Sequence, residues 1–189
     1  LRALGLTGRA DDLGLVRTCL GDKSPRVRTG AAYALATLGG DVATPELIKL
    51  LADQDPMVVA AAAWGLGHRR GDAPAVALRA ALNGESRGRV PRALGILMDK
   101  ESIEPLRAFL KSADSGRFRS QFDRADAIWA LGRMGDSASK ELIREALKAP
   151  YPYVRFRALE ALATLDPKNA HRLEADPQPD AAEDTKAML

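Results

Sequence analysis

A small-Leu-small triplet recurs along this chain at nearly constant spacing. It reads Ala3-Leu4-Gly5, Ala34-Leu35-Ala36, Gly65-Leu66-Gly67, Ala93-Leu94-Gly95, Ala130-Leu131-Gly132 and Ala161-Leu162-Ala163, with leucines 31, 31, 28, 37 and 31 residues apart. A period of this length means that each unit is one supersecondary element, too small to bury its own apolar face, which does so against its neighbours. A second column follows sixteen residues after each leucine: Leu20, Leu51, Leu82, Leu110 and Leu147, each preceded four residues earlier by Val16, Leu47, Leu78, Leu106 or Ile143. An i, i+4 apolar pair is one face of a helix.

Breakers separate the two columns. Gly39-Gly40-Asp41, Gly71-Asp72 and Gly135-Asp136 end one helix, and Thr44-Pro45 and Ala73-Pro74 begin the next with proline in its first turn. The helix that carries the triplet opens at Ser24-Pro25, Asp55-Pro56 or Tyr151-Pro152 and continues Val27-Arg28, Met57-Val58 or Val154-Arg155. Each unit is therefore helix, turn, helix. Aromatics make up only 5% of the residues while alanine and leucine dominate, which suits closely approaching helices rather than a sheet.

The run Ser24 to Gly39, and again Tyr151 to Leu165, resembles the HEAT repeat family in its short, phycobilisome-lyase-type form, with its turn residue, Pro, Val-Arg and then Ala-Ala-x-Ala-Leu-Gly. The resemblance covers roughly residues 1 to 170. It implies an all-α fold, a right-handed α-α superhelix or alpha solenoid of about five to six helical hairpins. It also implies a ladder between neighbouring repeats in which turn aspartates meet helix arginines, here Asp22, Asp53, Arg28 and Arg155. Val59 replaces the arginine in the third unit and leaves a gap there. The Thr-Pro-Leu-His signature of ankyrin units is absent, and Trp129-Ala130-Leu131-Gly132 lacks tetratricopeptide spacing.

Two regions emerge, a solenoid over residues 1–173 whose first unit lacks its leading helix, and an acidic tail or linker over residues 174–189. That start predicts either residues upstream or a partner surface over Leu1, Leu4 and Leu6. The tail holds Glu174, Asp176, Asp180, Glu183 and Asp184 against Lys186 alone. With 27 basic residues against 20 acidic ones, the remainder carries +7, while the whole chain is +3. Such a balance suits anionic partners or a tail that masks the body, although modest surface charge commonly serves solvation alone.

Several chemistries find little support. The single cysteine, Cys19, rules out a disulfide framework and a thiolate metal site, and beside Leu20 it reads as a small buried filler. His68 and His171 fall in different units without further ligands at metal-binding spacing. Gly65, Gly67 and Gly71 imitate a phosphate loop, but no strand precedes them and the repeat gives each a structural role. The longest apolar run, Met57 to Gly67, is about half the length of a membrane span. The expectation is a non-catalytic cytoplasmic protein with no cofactor and no metal.

What remains is the surface. The residue two before each triplet leucine points away from the core, and in HEAT-type solenoids that helix lines the concave face. This row reads Arg2, Tyr33, Trp64, Arg92, Trp129, Glu160, and its neighbours include His68, Ile96 and Arg133 on one side and Ala125 and Phe156 on the other. Tryptophan, tyrosine and arginine supply contact area and directed bonds at low ordering cost. The competing reading is that the rings fold sideways onto the next repeat.

The 37-residue spacing places extra residues near Ser115 to Asp123, including Arg117, Phe118, Arg119 and Phe122. They suit an acidic peptide or nucleic acid, whereas Phe118 and Phe122, an i, i+4 pair, also suit packing. Basic residues gather at Arg87, Arg89 and Arg92 around Pro91, which should kink its helix or delay its start. The leading expectation is a protein-binding scaffold module within a larger parent chain, using Tyr33, Trp64, His68, Arg92, Trp129, Arg133, Phe156, Arg117 and Arg119. Nucleic-acid or polyanion binding through the central basic region is the first alternative. A bilin lyase-like or chaperone role, drawn only from the repeat subfamily, is the second.

Overall fold

A computed structural model of the chain describes residues 13–84, 89–112 and 120–169. The expectations for Leu1, Arg2, Leu4, Leu6, Arg87, Gly88, Arg117, Phe118, Arg119, His171 and the acidic tail therefore lie outside the described residues. Everything regular within them is helical, and no strand occurs among them. The first helices of the units are α2 (Pro25–Leu38), α4 (Pro56–Leu66), α6 (Val90–Leu97), α8 (Ser120–Arg133) and α10 (Pro152–Leu165). The second helices are α1 (Leu13–Thr18), α3 (Thr44–Leu50), α5 (Asp72–Ala81), α7 (Ile103–Lys111) and α9 (Lys140–Glu145). The fold is an alpha solenoid of helical hairpins. Among the described residues no helix is long and apolar enough to cross a membrane.

The triplet leucines Leu35, Leu66, Leu94, Leu131 and Leu162 are all buried to 2% exposure or less. Each contributes roughly 1.5–3 kcal/mol from burial. Val16, Leu47, Leu78, Leu106 and Ile143 from the second column are fully buried as well, whereas Leu20, Leu51 and Leu147 are half-buried at the edge of the core. Cys19 is half-buried beside Leu20 rather than enclosed.

The small residues of the triplet have a shared task. The third one of each unit seats on the first one of the next, Ala36 on Gly65, Gly67 on Ala93, Gly95 on Ala130 and Gly132 on Ala161. A Cβ added to those glycines would lie 2.6, 3.2, 2.7 and 2.6 Å from the opposing alanine. Contact this close holds the first helices against one another, and they stack far more extensively than the second helices do.

Turn chemistry explains the boundaries. Gly40, Gly71 and Gly135 take φ of 50, 86 and 75°, the left-handed region that lets the chain reverse before the aspartate that follows each of them. In the short unit the same slot, before Asp99, holds Met98 at φ 56°. Asp55 caps α4 by accepting from the Met57 amide at 2.8 Å. Asp22 and Asp53 accept from the amides two residues on, at 2.7 and 2.8 Å, and so fix the turns ahead of Pro25 and Pro56. Pro91 delays its helix as expected. α6 starts at Val90 behind Arg89 in a left-handed conformation, and runs for eight residues where α2, α8 and α10 run for fourteen.

The arginine ladder exists but differs from the one the resemblance implies. Arg28 grips Asp53 of the next turn with both ends of its guanidinium, at 2.7 and 2.8 Å. Asp22 offers Arg28 its backbone carbonyl at 2.9 Å, not its carboxylate, and Arg155 donates to the carbonyls of Ala149 and Pro150. Where Val59 is buried in place of an arginine, the next rungs come from second helices. Arg79 pairs with Asp99 at 2.7 Å and with Glu101 at 2.8 Å, Arg107 pairs with Asp136 and Glu104, and Lys140 lies 3.6 Å from Asp166. In the first of these turns Arg17 reaches Glu46 at 2.9 Å.

Candidate functional site

The first helices present one continuous face built from residues nine, five and two before the triplet leucine and two after it. That spacing is i, i+4, i+7, i+11, a single stripe along an α-helix. What the stripe carries changes along the array.

Toward the N-terminus it is aromatic. Tyr33 of α2 and Trp64 of α4 lie ring to ring at 5.7 Å with planes tilted by 56°, and Trp64 meets His68 at 5.1 Å and 49°. Such tilted contacts are favourable by about 0.5–1.5 kcal/mol beyond burial. The His68 Nδ1 lies 2.7 Å from the Trp64 carbonyl, so that nitrogen carries the proton and donates. The rings of Tyr33 and Trp64 lean sideways on one another, as one of the two readings expects, and Trp64 leaves 40% of its surface in solvent.

Toward the C-terminus the stripe is cationic, around Trp129 of α8. The guanidinium carbons of Arg92, Arg133 and Arg157 stand 4.9, 5.5 and 6.0 Å from the Trp129 ring centre, within reach of cation–π attraction. Gly95 makes room for the indole, because a Cβ there would lie 2.8 Å from ring atom Cζ3. Arg157 is held from several sides. It donates to the Tyr153 hydroxyl at 3.2 and 3.1 Å and to Glu160 at 2.6 Å, and it lies 5.3 Å from the Tyr153 ring. Phe122 packs on Tyr153 at 5.5 Å, the packing role expected for one of the two phenylalanines of that segment.

Beneath this layer sits Asp126, with no exposed surface. Its Oδ2 accepts from Arg89 at 2.9 Å, while its Oδ1 lies 3.5 Å from Arg92 and has no hydrogen-bond partner. Burial pushes the Asp126 carboxyl above its usual range, and the charges of Arg89, Arg92 and Arg157 offset only part of that effect. Burial alone would lower Arg89, but Asp126 and Tyr153 together outweigh it and hold the guanidinium above its ordinary value. Arg157 is likewise held above its ordinary value against the cost of burial by Tyr153 and Glu160. Arg133 is exposed and Arg92 is half-buried.

Of the residues expected from sequence, Tyr33, Trp64 and His68 come together in one group and Arg92, Trp129 and Arg133 in another. Phe156, 59% exposed, touches the second group through Arg157 at 5.9 Å. Arg117 and Arg119 lie outside the described residues. The structure adds Arg89, Asp126, Arg157, Tyr153 and Gly95. A signal for three of them was present, since Arg89, Asp126 and Arg157 all stand five before a triplet leucine. Chemically the arrangement is a donor-rich, permanently cationic surface beside flat apolar rings, suited to carboxylates or other anions carried on a chain.

No curated protein matches the chain. The family model for HEAT repeats matches it over residues 1–67, 44–123 and 120–182, and with the stacked hairpins and inter-repeat ladder described above this places the chain in the HEAT-repeat family.

Proposed function

We propose that the first-helix stripe is the inner, partner-binding face of a non-catalytic scaffold module. It holds a protein segment whose apolar side chains lie on Tyr33 and Trp64 and whose carboxylates reach Arg92 and Arg133. HEAT repeats are generally protein-interaction scaffolds. The observation that carries the reading is the surplus of guanidinium groups around Trp129, where Arg89, Arg92, Arg133 and Arg157 stand against Asp123, Asp126 and Glu160, with Arg133 at the solvent edge. The closer stacking of the first helices supports placing this face on the inside of the curve, because the more tightly packed layer of a bent stack is the inner one.

The test is a titration with a labelled peptide that joins phenylalanine and leucine residues to a run of glutamates. Binding to the native chain, weakened about tenfold or more by Trp129→Ala with Arg133→Ala, is the expected result, since anchors of this kind contribute about 2 kcal/mol or more. Equal affinity in the double variant would overturn the reading. A single-stranded oligonucleotide that binds instead, with steep salt dependence, would favour the polyanion alternative.

A further inference from the structure

The occupant of the cationic half need not come from another molecule. We propose that the chain's own acidic segment, residues 174–189, docks in cis on Arg92, Arg133 and Trp129 and shields that surface until a partner displaces it. This rests on the reading of the face as a binding surface, and adds how access to it is regulated.

Charge complementarity argues for it first. The segment, with five carboxylates against one lysine, is the most acidic stretch of a chain that is otherwise +7. Around Trp129 the opposite imbalance holds. Arg89 and Arg92 share Asp126, which is fully buried and accepts a hydrogen bond only from Arg89; Asp123 accepts from the Arg89 amide, Glu160 engages Arg157, and Arg133 stands at the exposed rim. Like charges brought this close repel, and a carboxylate arriving from solvent relieves them without itself being buried.

Connectivity argues for it next. The helix that supplies Arg157 and Glu160, α10, ends at Leu165, and the described chain reaches Asn169. Glu160 lies about 8 Å back along the helix from Leu165, at about 1.5 Å per residue. From Asn169 to Glu174 an extended chain spans up to about 18 Å, and to Asp184 up to about 50 Å. The acidic residues are therefore tethered within reach of the cluster, where a short linker gives an effective concentration on the millimolar scale. A weak ion-pairing contact suffices at that concentration, and an acidic partner arriving from outside must compete with it.

The experiment compares the full chain with a full-length variant in which the five carboxylates are neutralised (Glu174→Gln, Asp176→Asn, Asp180→Asn, Glu183→Gln, Asp184→Asn). Both are labelled with 5-fluorotryptophan, the Trp129 resonance being assigned with Trp129→Phe. In the native chain the Trp129 resonance should move as salt is added, while in the neutralised chain it should begin near the high-salt position. A synthetic peptide of residues 174–189 should bind the neutralised chain about tenfold more tightly than the native one, and Arg133→Ala in the neutralised background should abolish the difference. Equal peptide affinities with an unmoved Trp129 signal would refute docking in cis while leaving the binding face intact. No binding of that peptide or of the phenylalanine–glutamate peptide by either chain would refute both.

Discussion

Arg107 meets Asp136 in the turns of the array as a closed pair, with Ser139 and Glu104 completing the shell, whereas Arg89 and Arg92 share the one carboxylate of Asp126 on the first-helix face and Arg157 acts on it only through its charge. The carboxyls record the difference. Burial would raise Asp136, but the hydrogen bonds from Arg107 and Ser139 win and hold it below the ordinary range. Hydrogen bonds from Arg28 lower Asp53 in the same way, against a smaller effect of burial. Asp126 goes the other way, with burial winning over three arginines. Asp136 takes Arg107 at both ends of its guanidinium, whereas Asp126 holds Arg89 by one hydrogen bond and stands 3.5 Å from Arg92.

The largest effect should come from opening the closed pair. Arg107→Ala leaves Asp136, 8% exposed, without its cation, and should cost about 3 kcal/mol in denaturant unfolding. Its affinity for an acidic peptide should stay as in the native chain. A loss under about 1 kcal/mol would mean that the ladder contributes little more than an exposed ion pair.

A pH series separates the two carboxyls by sign. Because Asp136 is depressed in the folded state, its contribution is present above the ordinary carboxyl pKa and is lost as pH falls through the lower, folded value. Because Asp126 is raised, the folded state holds its proton more tightly, and stability falls as pH rises from the ordinary value to the raised one. Relative to Asp136→Asn, the native chain should therefore gain stability with rising pH, and relative to Asp126→Asn it should lose it. Two curves of the same slope would collapse the distinction.

Among the described residues two non-glycine residues have left-handed backbone, one in each region, and the smallest effect belongs to Met98. Met98, 41% exposed, stands where the other turns have glycine, and Met98→Gly should stabilise by about 0.5–1 kcal/mol. Arg89→Gly relieves the same backbone but strips Asp126 of its one hydrogen-bonded cation, so it should destabilise. Thermal melts of both variants decide this.

The architecture was readable because the residues that set it are repeated: triplet leucines, paired second-column residues, a proline opening the first helices α2, α4 and α10, and a glycine before three turn aspartates. The ladder was only half readable. Arg28 with Asp53 follows the family pattern, but Arg155 finds carbonyls at the turn before it, and the rungs at Arg79 and Arg107 were overlooked although Arg17, Arg79, Arg107 and Arg144 all stand three before a second-column leucine. Arg144 shows why such a row does not decide itself, since it folds back onto Glu141. On the first-helix face the row containing Trp64, Arg92 and Trp129 stood out by composition. Asp126 shares its register with Arg89 and Arg157, but a lone aspartate acquires meaning only when Arg89 and Arg92 of the unit before are placed against it.

The seating of one unit's third small residue on the next unit's first has a consequence for the order of the array. At every described junction the two partners are one glycine and one alanine, never two of either. Exchange of the Gly65-Leu66-Gly67 unit with a neighbour would bring alanine against alanine, where the helices are already in contact, whereas the units of Ala93 and Ala130 carry the same pair and are interchangeable. Interlocking parts of two sizes act as a key, so the place of the Gly65 unit in the stack is written into its joints. A unit joined after Ala163 would, by the same rule, have to begin its triplet with glycine.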